Sequence, residues 1–330
     1  MALELRLGRL DGVRCARGIP LAPLTTLRVG GAAELLAEVG TEAALAATLR
    51  AARELTVPLF LLGMGSNVLV PDEGISGLVV RLGGAFRRAA VRGERVSAGA
   101  AVALPRLARR TAERGLSGLE PFAGFPSTVG GAVFMNAGCY GAEIRDVLLS
   151  VRLVEADGSR RRVGPDELEP GYRRTNLGAR RAIVTRAHFA LRAGDRAAAL
   201  ARIEELAARR RAALPGGQPN AGSVFRNPPG DFAGRLLEAA GLKGRRCGAA
   251  RISEKHANVI VNEGGARADD VLALMLEAHA AVAARFAVRL EPEWVLAGDL
   301  GRRWREAVAG GAPPPGAGRS PGAGQSPAIA

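Results

Sequence analysis

The chain has 330 residues and a formal net charge of +14 at pH 7, with only three cysteines and three histidines. This length accommodates two or three domains with substantial cores, and no apolar run approaches the roughly 18 residues that a membrane-spanning helix needs. The cysteines are far apart, which excludes a disulfide framework and a metal-ligand spacing, so we expect no metal site.

The positive charge is almost entirely arginine, scattered in pairs and triplets, and aromatic residues make up only 4% of the chain. With few aromatic side chains, the protein offers few surfaces on which bases could stack. We therefore interpret the positive charge as an electrostatic field that attracts anionic small molecules, and prefer this to a nucleic-acid-binding function. A basic nucleic-acid-binding protein is the alternative from another class. The N-terminal residues show no signal-peptide pattern, which predicts a cytoplasmic protein.

In chain order, Thr41 is suited to cap a helix that runs to about Leu55. Residues 59–62 then predict a buried strand that opens into the loop 63–67, before another strand at 68–70. The loop reads Gly-Met-Gly-Ser-Asn, and its successive backbone N–H groups and hydroxyl suit phosphate oxygens. An ordinary glycine turn explains the same residues, because the third glycine of the dinucleotide-binding pattern and its helix are missing.

The next elements are short. Residues 78–82 predict a strand, 91–96 a hairpin, and 104–114 a helix that ends at a glycine. Residues 151–163 predict a second hairpin, which turns at Asp157-Gly158.

Between these elements lies a nearly uncharged stretch, residues 118–141, in which apolar residues alternate with glycine and other small residues. Each glycine costs stability in a regular helix or strand, so we expect an irregular segment. A buried irregular backbone needs hydrogen-bond partners, and a flat cofactor with a diphosphate could supply them. A glycine-rich core crossing without a ligand is an equally good explanation of the stretch by itself.

The last third of the chain predicts helices capped by Asp195 and Asp231, the first running to about residue 213, and a third helix over residues 269–286. His279 lies at the edge of the apolar face of the third helix, which indicates a structural histidine. Short strands with separated helices predict an α+β architecture. Residues 303–330 become rich in Pro, Gly and Ala, and we expect a disordered tail.

Several of these segments, taken together and in order, resemble the UDP-N-acetylenolpyruvoylglucosamine reductases, flavoenzymes of peptidoglycan precursor synthesis. The resemblance covers about residues 23–300. The segments that carry it are Thr25-Thr26-Leu27-Arg28-Val29-Gly30-Gly31, residues 62–69, residues 118–141, Tyr172-Arg173-Arg174-Thr175, Ala221-Gly222-Ser223-Val224-Phe225-Arg226-Asn227-Pro228, Ser253-Glu254-Lys255-His256-Ala257-Asn258 and Leu290-Glu291-Pro292-Glu293.

The resemblance implies a two-subdomain FAD-binding fold of the vanillyl-alcohol-oxidase/PCMH type plus a C-terminal α+β substrate-binding domain. On this basis residues 1–82 and 83–194 are the FAD-binding subdomains and residues 195–302 bind substrate. No histidine lies in the loops concerned, so we expect FAD to be non-covalent. The implied cofactor-binding residues are Gly63, Met64, Gly65, Ser66, Asn67, Pro126, Ser127, Thr128, Gly130, Gly131, Asn136, Ala137 and Gly138.

The implied substrates are NADPH and UDP-N-acetylglucosamine enolpyruvate. Adding hydride to the enolpyruvyl double bond leaves negative charge on its carboxylate, so the site needs a cation or acid there and a proton donor at the other carbon. The resemblance assigns the first role to Arg173 and Glu293 and the second to Ser223. It makes Tyr172, Arg226 and Asn227 the candidate substrate contacts.

Each of these residues also has an ordinary structural explanation, since Arg173 could be a surface charge, Ser223 a turn hydroxyl and Glu293 a surface ion-pair partner. A flavin oxidoreductase of the same fold acting on another carboxylate substrate is the second enzymatic possibility. The sequence departs from the family at Ser127, where a glycine is usual, and at Thr175, where serine is usual. The short interval from Tyr172 to Ser223 resembles the subtype that lacks a long tyrosine-bearing substrate loop. The oligomeric state is left open.

Overall fold

The computed structural model describes residues 2–310. The helices are α1 Ala2–Leu7, α2 Glu42–Glu54, α3 Leu104–Ala112, α4 Val129–Phe134, α5 Leu177–Arg180, α6 Arg196–Ala213, α7 Ala233–Ala239, α8 Ala268–Phe286 and α9 Leu300–Gly310. The strands are β1 Val13–Pro20, β2 Ala32–Val39, β3 Leu59–Leu61, β4 Val68–Leu69, β5 Ile75–Leu82, β6 Ala89–Arg92, β7 Arg95–Gly99, β8 Leu116–Ser117, β9 Gly138–Cys139, β10 Ala142–Glu143, β11 Leu148–Val154, β12 Arg160–Val163, β13 Ile183–Ala190, β14 Arg192–Ala193, β15 Asn220–Ser223, β16 Arg246–Cys247, β17 Ala250–Ile252, β18 Val259–Asn262 and β19 Val295–Leu296.

The first sheet has the order β1-β2-β5-β3, with β2 and β3 both parallel to β5. Alternate residues of β2, such as Leu35 and Ala37, are buried in one cluster with Leu45 and Leu49 of α2. Helix α2 begins where the sequence predicts, because Thr41 Oγ1 accepts a hydrogen bond from the Ala44 N–H at 3.2 Å. The polar loop 63–67 leaves this sheet at the end of β3.

The second sheet is fully antiparallel, in the order β12-β11-β13-β7-β6. Its two hairpins, β6–β7 and β11–β12, confirm the two hairpin predictions. Helices α3 and α4 pack on it through a core that includes Leu107, Val129, Val151 and Phe189.

The third sheet has the order β15-β18-β17-β16 and is covered by α8, whose buried face includes Val271, Met275 and Val282. His279 is a structural residue, as predicted, since its Nδ1 lies 2.9 Å from the Leu290 carbonyl oxygen. Its ring also makes an edge contact with Trp304 of α9, with the ring centroids 5.3 Å apart. The mixed content of helices and strands confirms the α+β class.

The third sheet and its helices are joined to the first part of the chain by buried polar contacts. Asp72 caps α8, because its carboxylate oxygens accept hydrogen bonds from the Ala268 and Asp269 N–H groups at 2.8 and 3.2 Å. The Asn262 side chain donates to the Leu27 carbonyl oxygen at 3.1 Å. These contacts fix the late part of the chain against the loops that follow the first strands.

The structure corrects the expectation for residues 118–141. The stretch contains α4, whose N-cap is Thr128, so the glycine pair at 130 and 131 lies in a short helix and not in an irregular crossing. The helix tolerates these glycines because it is closely packed: a Cβ added at Gly130 would lie 2.9 Å from the Ala100 Cβ.

Two predictions near the C-terminal helices also need correction. The N-cap of α7 is Phe232, and the Asp231 carboxylate is instead paired with Arg235 one helical turn later. Residues 303–310 belong to α9, because Trp304 and its apolar neighbours pack on the core; the rest of the predicted tail, 311–330, lies outside the described residues. Within residues 2–310, none of the helices has the length and apolar character needed to cross a bilayer.

Candidate active site

A cavity of about 1540 Å³ lies where the three sheets and their loops converge. Its walls come from the loop after β3, from the segment around α4, and from late segments that contain Ser223 and Glu293. Three regions that are far apart in sequence therefore share one space.

The loop 63–67 presents main chain to this cavity. Among residues 2–310, no acceptor takes a hydrogen bond from the backbone N–H groups of Gly63, Met64, Gly65, Ser66 or Asn67. Gly63 is exposed, but the other four residues are buried or half-buried, where N–H groups normally have partners, so these free donors at a cavity wall form a ready anion site. This donor set fits the diphosphate of FAD.

The shape of the loop depends on Gly65. Its φ is +65°, and a Cβ there would lie 2.5 Å from the Leu24 carbonyl oxygen and 2.7 Å from the Thr25 Cα. Only glycine avoids both the left-handed strain and this collision. The loop is thus packed against the chain before β2 on one side and is open to the cavity on the other.

The segment before α4 forms the opposite wall. Thr128 caps the helix by accepting a hydrogen bond from the Gly131 N–H at 3.1 Å. Ser127 does not adopt a positive φ, and its hydroxyl donates to the Thr128 carbonyl oxygen at 2.9 Å. The serine that replaces the usual glycine is therefore accommodated without backbone strain.

Arg173 and Glu293 meet in the cavity as an ion pair, with Arg173 Nε 2.9 Å from Glu293 Oε1. Both side chains are mostly buried, with exposed fractions of 20% and 16%. Arg173 also donates from Nη1 to the Gly138 carbonyl oxygen at 2.6 Å, while its Nε–H is not aligned for a hydrogen bond to any described residue. The guanidinium is thus anchored and still has donor capacity for a ligand.

Burial raises the pKa of Glu293, and the positive charges of Arg173 and then Arg226 oppose that rise. Desolvation disfavours the charged carboxylate more than the two arginines stabilise it. An arriving anionic ligand would raise the pKa of Glu293 further, because like charges disfavour ionisation.

Ser223, at the end of β15, also lines the cavity. Within the described part of the chain its hydroxyl makes no hydrogen bond. Gly222, directly before it, has a φ of +73°, which turns the chain at this point. The hydroxyl is therefore available to a ligand.

Most of the predicted cofactor-binding residues line the cavity. They are Gly63, Met64, Gly65, Ser66, Asn67, Pro126, Ser127, Thr128, Gly130, Gly131, Ala137 and Gly138. Arg173, Ser223 and Glu293 line it too, so the structure brings residues from three distant motifs to one cavity.

Two predicted asparagines lie outside the cavity wall and have structural roles. Asn136 is buried, and its amide nitrogen donates to Glu143 Oε2 and to the Gly171 carbonyl oxygen at 3.0 and 3.2 Å. Asn227 Oδ1 accepts a hydrogen bond from the Ala233 N–H at 3.0 Å, at the start of α7. Both side chains thus bond to groups that the fold brings close, and the sequence motif did not reveal these partners.

The other two predicted substrate contacts also lie outside the wall. Tyr172 is 49% exposed, and the Arg173 guanidinium carbon lies 5.4 Å from its ring centroid. Arg226 is paired with Glu291. Its main-chain N–H donates to the Glu291 carbonyl oxygen at 2.9 Å, and its Nη1 lies 3.6 Å from Glu291 Oε2.

The cavity wall includes residues that sequence reasoning did not select. Phe125, Met135 and Cys139 lie inside the stretch 118–141, so its composition was the available signal. Burial raises the pKa of Cys139 to about 11, and the thiol is neutral. Arginines from separate elements contribute without any shared motif: Arg53, Arg81, Arg87, Arg180, Arg181 and Arg210.

Residues 172–223 contain α5, β13, β14 and α6, and leave only residues 214–219 as the connection into β15. A long substrate-covering loop is therefore not part of this interval. The end of α6 approaches the cavity here, because Arg210 and Leu214 belong to its wall.

Two family models match this chain. A family model described as the C-terminal domain of UDP-N-acetylenolpyruvoylglucosamine reductase matches residues 214–297. A second model, a FAD binding domain, matches residues 33–164.

Relatives match nearly the whole chain. UDP-N-acetylenolpyruvoylglucosamine reductase 2 of Symbiobacterium thermophilum is 47% identical over 293 residues, which are 89% of this chain and 95% of that protein. A reductase of the same name from an Anaeromyxobacter species is 48% identical over 86% of this chain and 89% of its own length. The crystal structure of the Thermus caldophilus reductase matches with a TM-score of 0.76 and 41% identity, over 86% of this chain and 99% of that one. The chain therefore belongs to the UDP-N-acetylenolpyruvoylglucosamine reductase family of FAD-dependent, NADPH-consuming oxidoreductases.

Proposed function

We propose that Arg173, Ser223 and Glu293 form the reactive centre of this reductase. The observation that carries the proposal is their convergence: the 2.9 Å ion pair between Arg173 and Glu293 and the free Ser223 hydroxyl share one cavity with the loop 63–67. Charge stabilisation, a proton donor and an anion-binding loop are what this reaction requires.

As a member of its family, the chain reduces UDP-N-acetylglucosamine enolpyruvate to UDP-N-acetylmuramate, in peptidoglycan precursor synthesis. NADPH is the co-substrate and FAD is bound non-covalently. When bound, FAD supplies the transfer of hydride from NADPH to the enolpyruvyl double bond.

The free N–H groups of residues 63–67 would hold the diphosphate of FAD, and the wall from Pro126 to Gly131 and at Ala137-Gly138 would line the rest of the cofactor. These are mostly main-chain contacts. They set the position of the cofactor and leave the chemistry at the substrate to side chains.

Negative charge develops on the substrate carboxylate when its double bond is reduced. Arg173 offers a fixed positive charge there, held in place by Gly138. Glu293 can assist only in its protonated form, as a hydrogen-bond donor to the carboxylate. Burial raises the pKa of Glu293, which favours that form.

The second carbon of the double bond then needs a proton, and Ser223 is the hydroxyl available in the cavity. A serine hydroxyl is a very weak acid, so it donates only to a strongly basic carbon in a site that excludes water. Arg173 and Glu293 stabilise the charge on the carboxylate side, while Ser223 supplies the proton on the other.

Of the predicted substrate contacts we retain Tyr172, which is exposed beside Arg173. We also propose that residues 1–82 and 83–194 form the two FAD-binding subdomains and residues 195–302 the substrate-binding domain, since each contains its own sheet. We place the reaction in the cytoplasm, where NADPH and nucleotide sugars are made; subcellular fractionation with an antibody to the chain tests this location.

The test of the reactive centre is Ser223→Ala, followed by rapid mixing of each half-reaction. We expect flavin reduction by NADPH to keep its rate, while reoxidation by the enolpyruvyl substrate slows by about 10²–10⁴-fold, the range for loss of a proton donor. Ser253→Ala is the matched control, because that hydroxyl accepts from the Lys255 N–H at 3.1 Å and lies outside the cavity. Equal slowing of both half-reactions in Ser223→Ala would remove Ser223 from the proton-donor role.

A further inference from the structure

Asn67 is the last residue of the loop 63–67, here called the cofactor loop. Its side chain contacts the main chain of Glu293, the glutamate of the proposed reactive centre. Its amide nitrogen donates a hydrogen bond to the main-chain carbonyl oxygen of Glu293 at 3.1 Å. Its own carbonyl oxygen accepts a hydrogen bond from the Val295 N–H at 3.0 Å. One residue thus makes two bonds to the segment 293–295, which is 226 positions further along the chain.

These bonds continue into a regular structure. Strand β4, directly after Asn67, pairs in parallel with β19, so that Val68 lies opposite Val295 and Leu69 opposite Leu296. The loop and the glutamate are therefore attached to the two members of one short ladder.

On its other side, Glu293 is attached to the serine segment. The Glu293 N–H donates to the Val224 carbonyl oxygen at 2.8 Å, one residue after Ser223. Phe225 and Pro292 form an antiparallel bridge next to it. The main chain of Glu293 is thus clamped between the cofactor loop and the strand that carries the proton donor, while its side chain reaches Arg173.

We propose that Asn67 is a positioning residue for Glu293, which aligns the Glu293–Arg173 pair with the cofactor loop and with Ser223. The proposal rests on the roles assigned above to Glu293 and Ser223. Asn67 offers its backbone N–H to FAD, while one N–H of its side-chain amide is engaged with the Glu293 carbonyl. The cofactor loop thereby sets the position of Glu293, the acid that stabilises the negative charge developing on the substrate carboxylate.

The physical reason is the sensitivity of such sites to small displacements. A misplacement of about 1 Å in a positioned group can slow the chemistry by about 10²-fold. Without the Asn67 bond, the Glu293 carbonyl loses its only side-chain partner within the described residues, and the segment can shift relative to the loop.

The test uses Asn67→Leu, which keeps the branched shape without the donor, and Asn67→Ala as a second variant. At saturating FAD we expect flavin reduction by NADPH to stay within about threefold of the parent rate, and reoxidation by the enolpyruvyl nucleotide-sugar to slow by about 10–100-fold. The FAD dissociation constant, followed by flavin fluorescence, is expected to change by less than about threefold, because the backbone donors remain.

Asp72→Ala is the matched control, because it removes a different polar contact between the early and late parts of the chain, the cap on α8. We expect it to lower stability without a selective loss in reoxidation. A selective loss in Asp72→Ala of the same size would show general loosening and overturn the proposal. So would Asn67 variants that weaken only FAD binding, or that slow both half-reactions equally.

Glu293→Gln, measured in parallel, separates this inference from the function it rests on. If Glu293→Gln slows reoxidation and the Asn67 variants do not, the positioning role fails and the reactive centre stands. If Glu293→Gln has no effect on reoxidation, the proposed role of Glu293 fails first, and the Asn67 proposal falls with it.

Discussion

The loop 63–67 and the segment around Glu293 touch each other, but they are built in opposite ways. The loop leaves its backbone N–H groups without acceptors among residues 2–310, and two of its five residues are glycines. At Glu293 both main-chain groups are engaged: the N–H donates to the Val224 carbonyl oxygen, and the carbonyl oxygen accepts from the Asn67 side chain. Its side chain is the part left for the ligand.

This difference shows how the site divides two tasks. Main-chain donors do not depend on which side chain a residue carries. The sequence of the loop is therefore constrained mainly at positions such as Gly65, where there is no room for a Cβ. Side-chain chemistry depends on the position of a few atoms, so the Glu293 segment is defined by long-range hydrogen bonds. Substitutions in the loop should therefore weaken FAD binding, whereas substitutions at Glu293 should slow the reaction with the substrate.

The largest effect on cofactor binding is expected from Gly65→Ala. The new Cβ would collide with the Leu24 carbonyl oxygen at 2.5 Å, at a residue whose φ is already +65°. Strain of about 3 kcal/mol corresponds to about a 100-fold loss, so we expect FAD affinity to fall by at least that factor. Flavin fluorescence titration of the apoprotein measures the change.

The control for this prediction is Gly93→Ala, in the turn between β6 and β7. Its φ is +54°, but no heavy atom of the described chain lies within 4 Å of an added Cβ. It should cost only the left-handed backbone penalty of about 1–2 kcal/mol in stability and leave FAD affinity unchanged. Equal FAD affinities for both variants would contradict the assignment of the loop.

Glu293 tests the other half of the comparison. We expect Glu293→Ala to slow reoxidation of the reduced flavin by about 10²–10³-fold, as for the loss of one charge-stabilising donor. Glu293→Gln keeps a hydrogen-bond donor, so its reoxidation rate should fall less. In the parent protein the reoxidation rate should decline as pH rises through the pKa of Glu293, because the protonated form is the one that donates. This pH dependence should be absent in Glu293→Gln. An identical decline in both proteins would show that another group titrates.

The stability of the protein should change with pH in the same direction. Because burial raises the pKa of Glu293 in the folded state, this state binds the proton more tightly than the unfolded chain does. The free energy of unfolding of the parent, relative to Glu293→Gln, should therefore be highest below the ordinary glutamate value of 4.5 and fall as pH rises through the raised pKa. Thermal unfolding of both proteins across this range checks the sign.

The two regions also differ in how far the sequence could predict them. The residues of the loop 63–67 indicated a concavity suited to phosphate oxygens, because its glycines follow a buried strand, but an ordinary glycine turn explained them as well; the family resemblance made it a cofactor loop. Arg173, Ser223 and Glu293 look ordinary locally, and only the order of the family motifs indicated that they meet. Local chemistry cannot reveal a contact such as that between Asn67 and Glu293, since it is made by the tertiary fold.

The errors follow the same logic. Asn227 and Asn136 lie in the motifs, but the Asn227 side chain accepts from the Ala233 N–H, and the Asn136 side chain donates to the Glu143 carboxylate and the Gly171 carbonyl oxygen. The arginines of the cavity wall come from separate elements, and a chain with so many arginines gives no signal for selecting them. Helix α4 was missed because its glycines are tolerated through close packing against Ala100, which propensity does not include.

The smallest effect distinguishes a cap that only stabilises a helix from one that also supports the cofactor wall. Thr128 and Thr41 accept matching hydrogen bonds, at 3.1 Å from the Gly131 N–H and 3.2 Å from the Ala44 N–H. Replacing either by alanine should lower the free energy of unfolding by about 1 kcal/mol. Thr128 also lies against the loop, because a Cβ added at Gly63 would be 3.2 Å from its Oγ1. We therefore expect Thr128→Ala alone to weaken FAD binding, by about threefold to tenfold, which is the 1 kcal/mol scale of the cap expressed as affinity. Equal FAD affinities for Thr128→Ala and Thr41→Ala, at equal losses of stability, would mean that α4 is a wall whose exact position the cofactor does not sense.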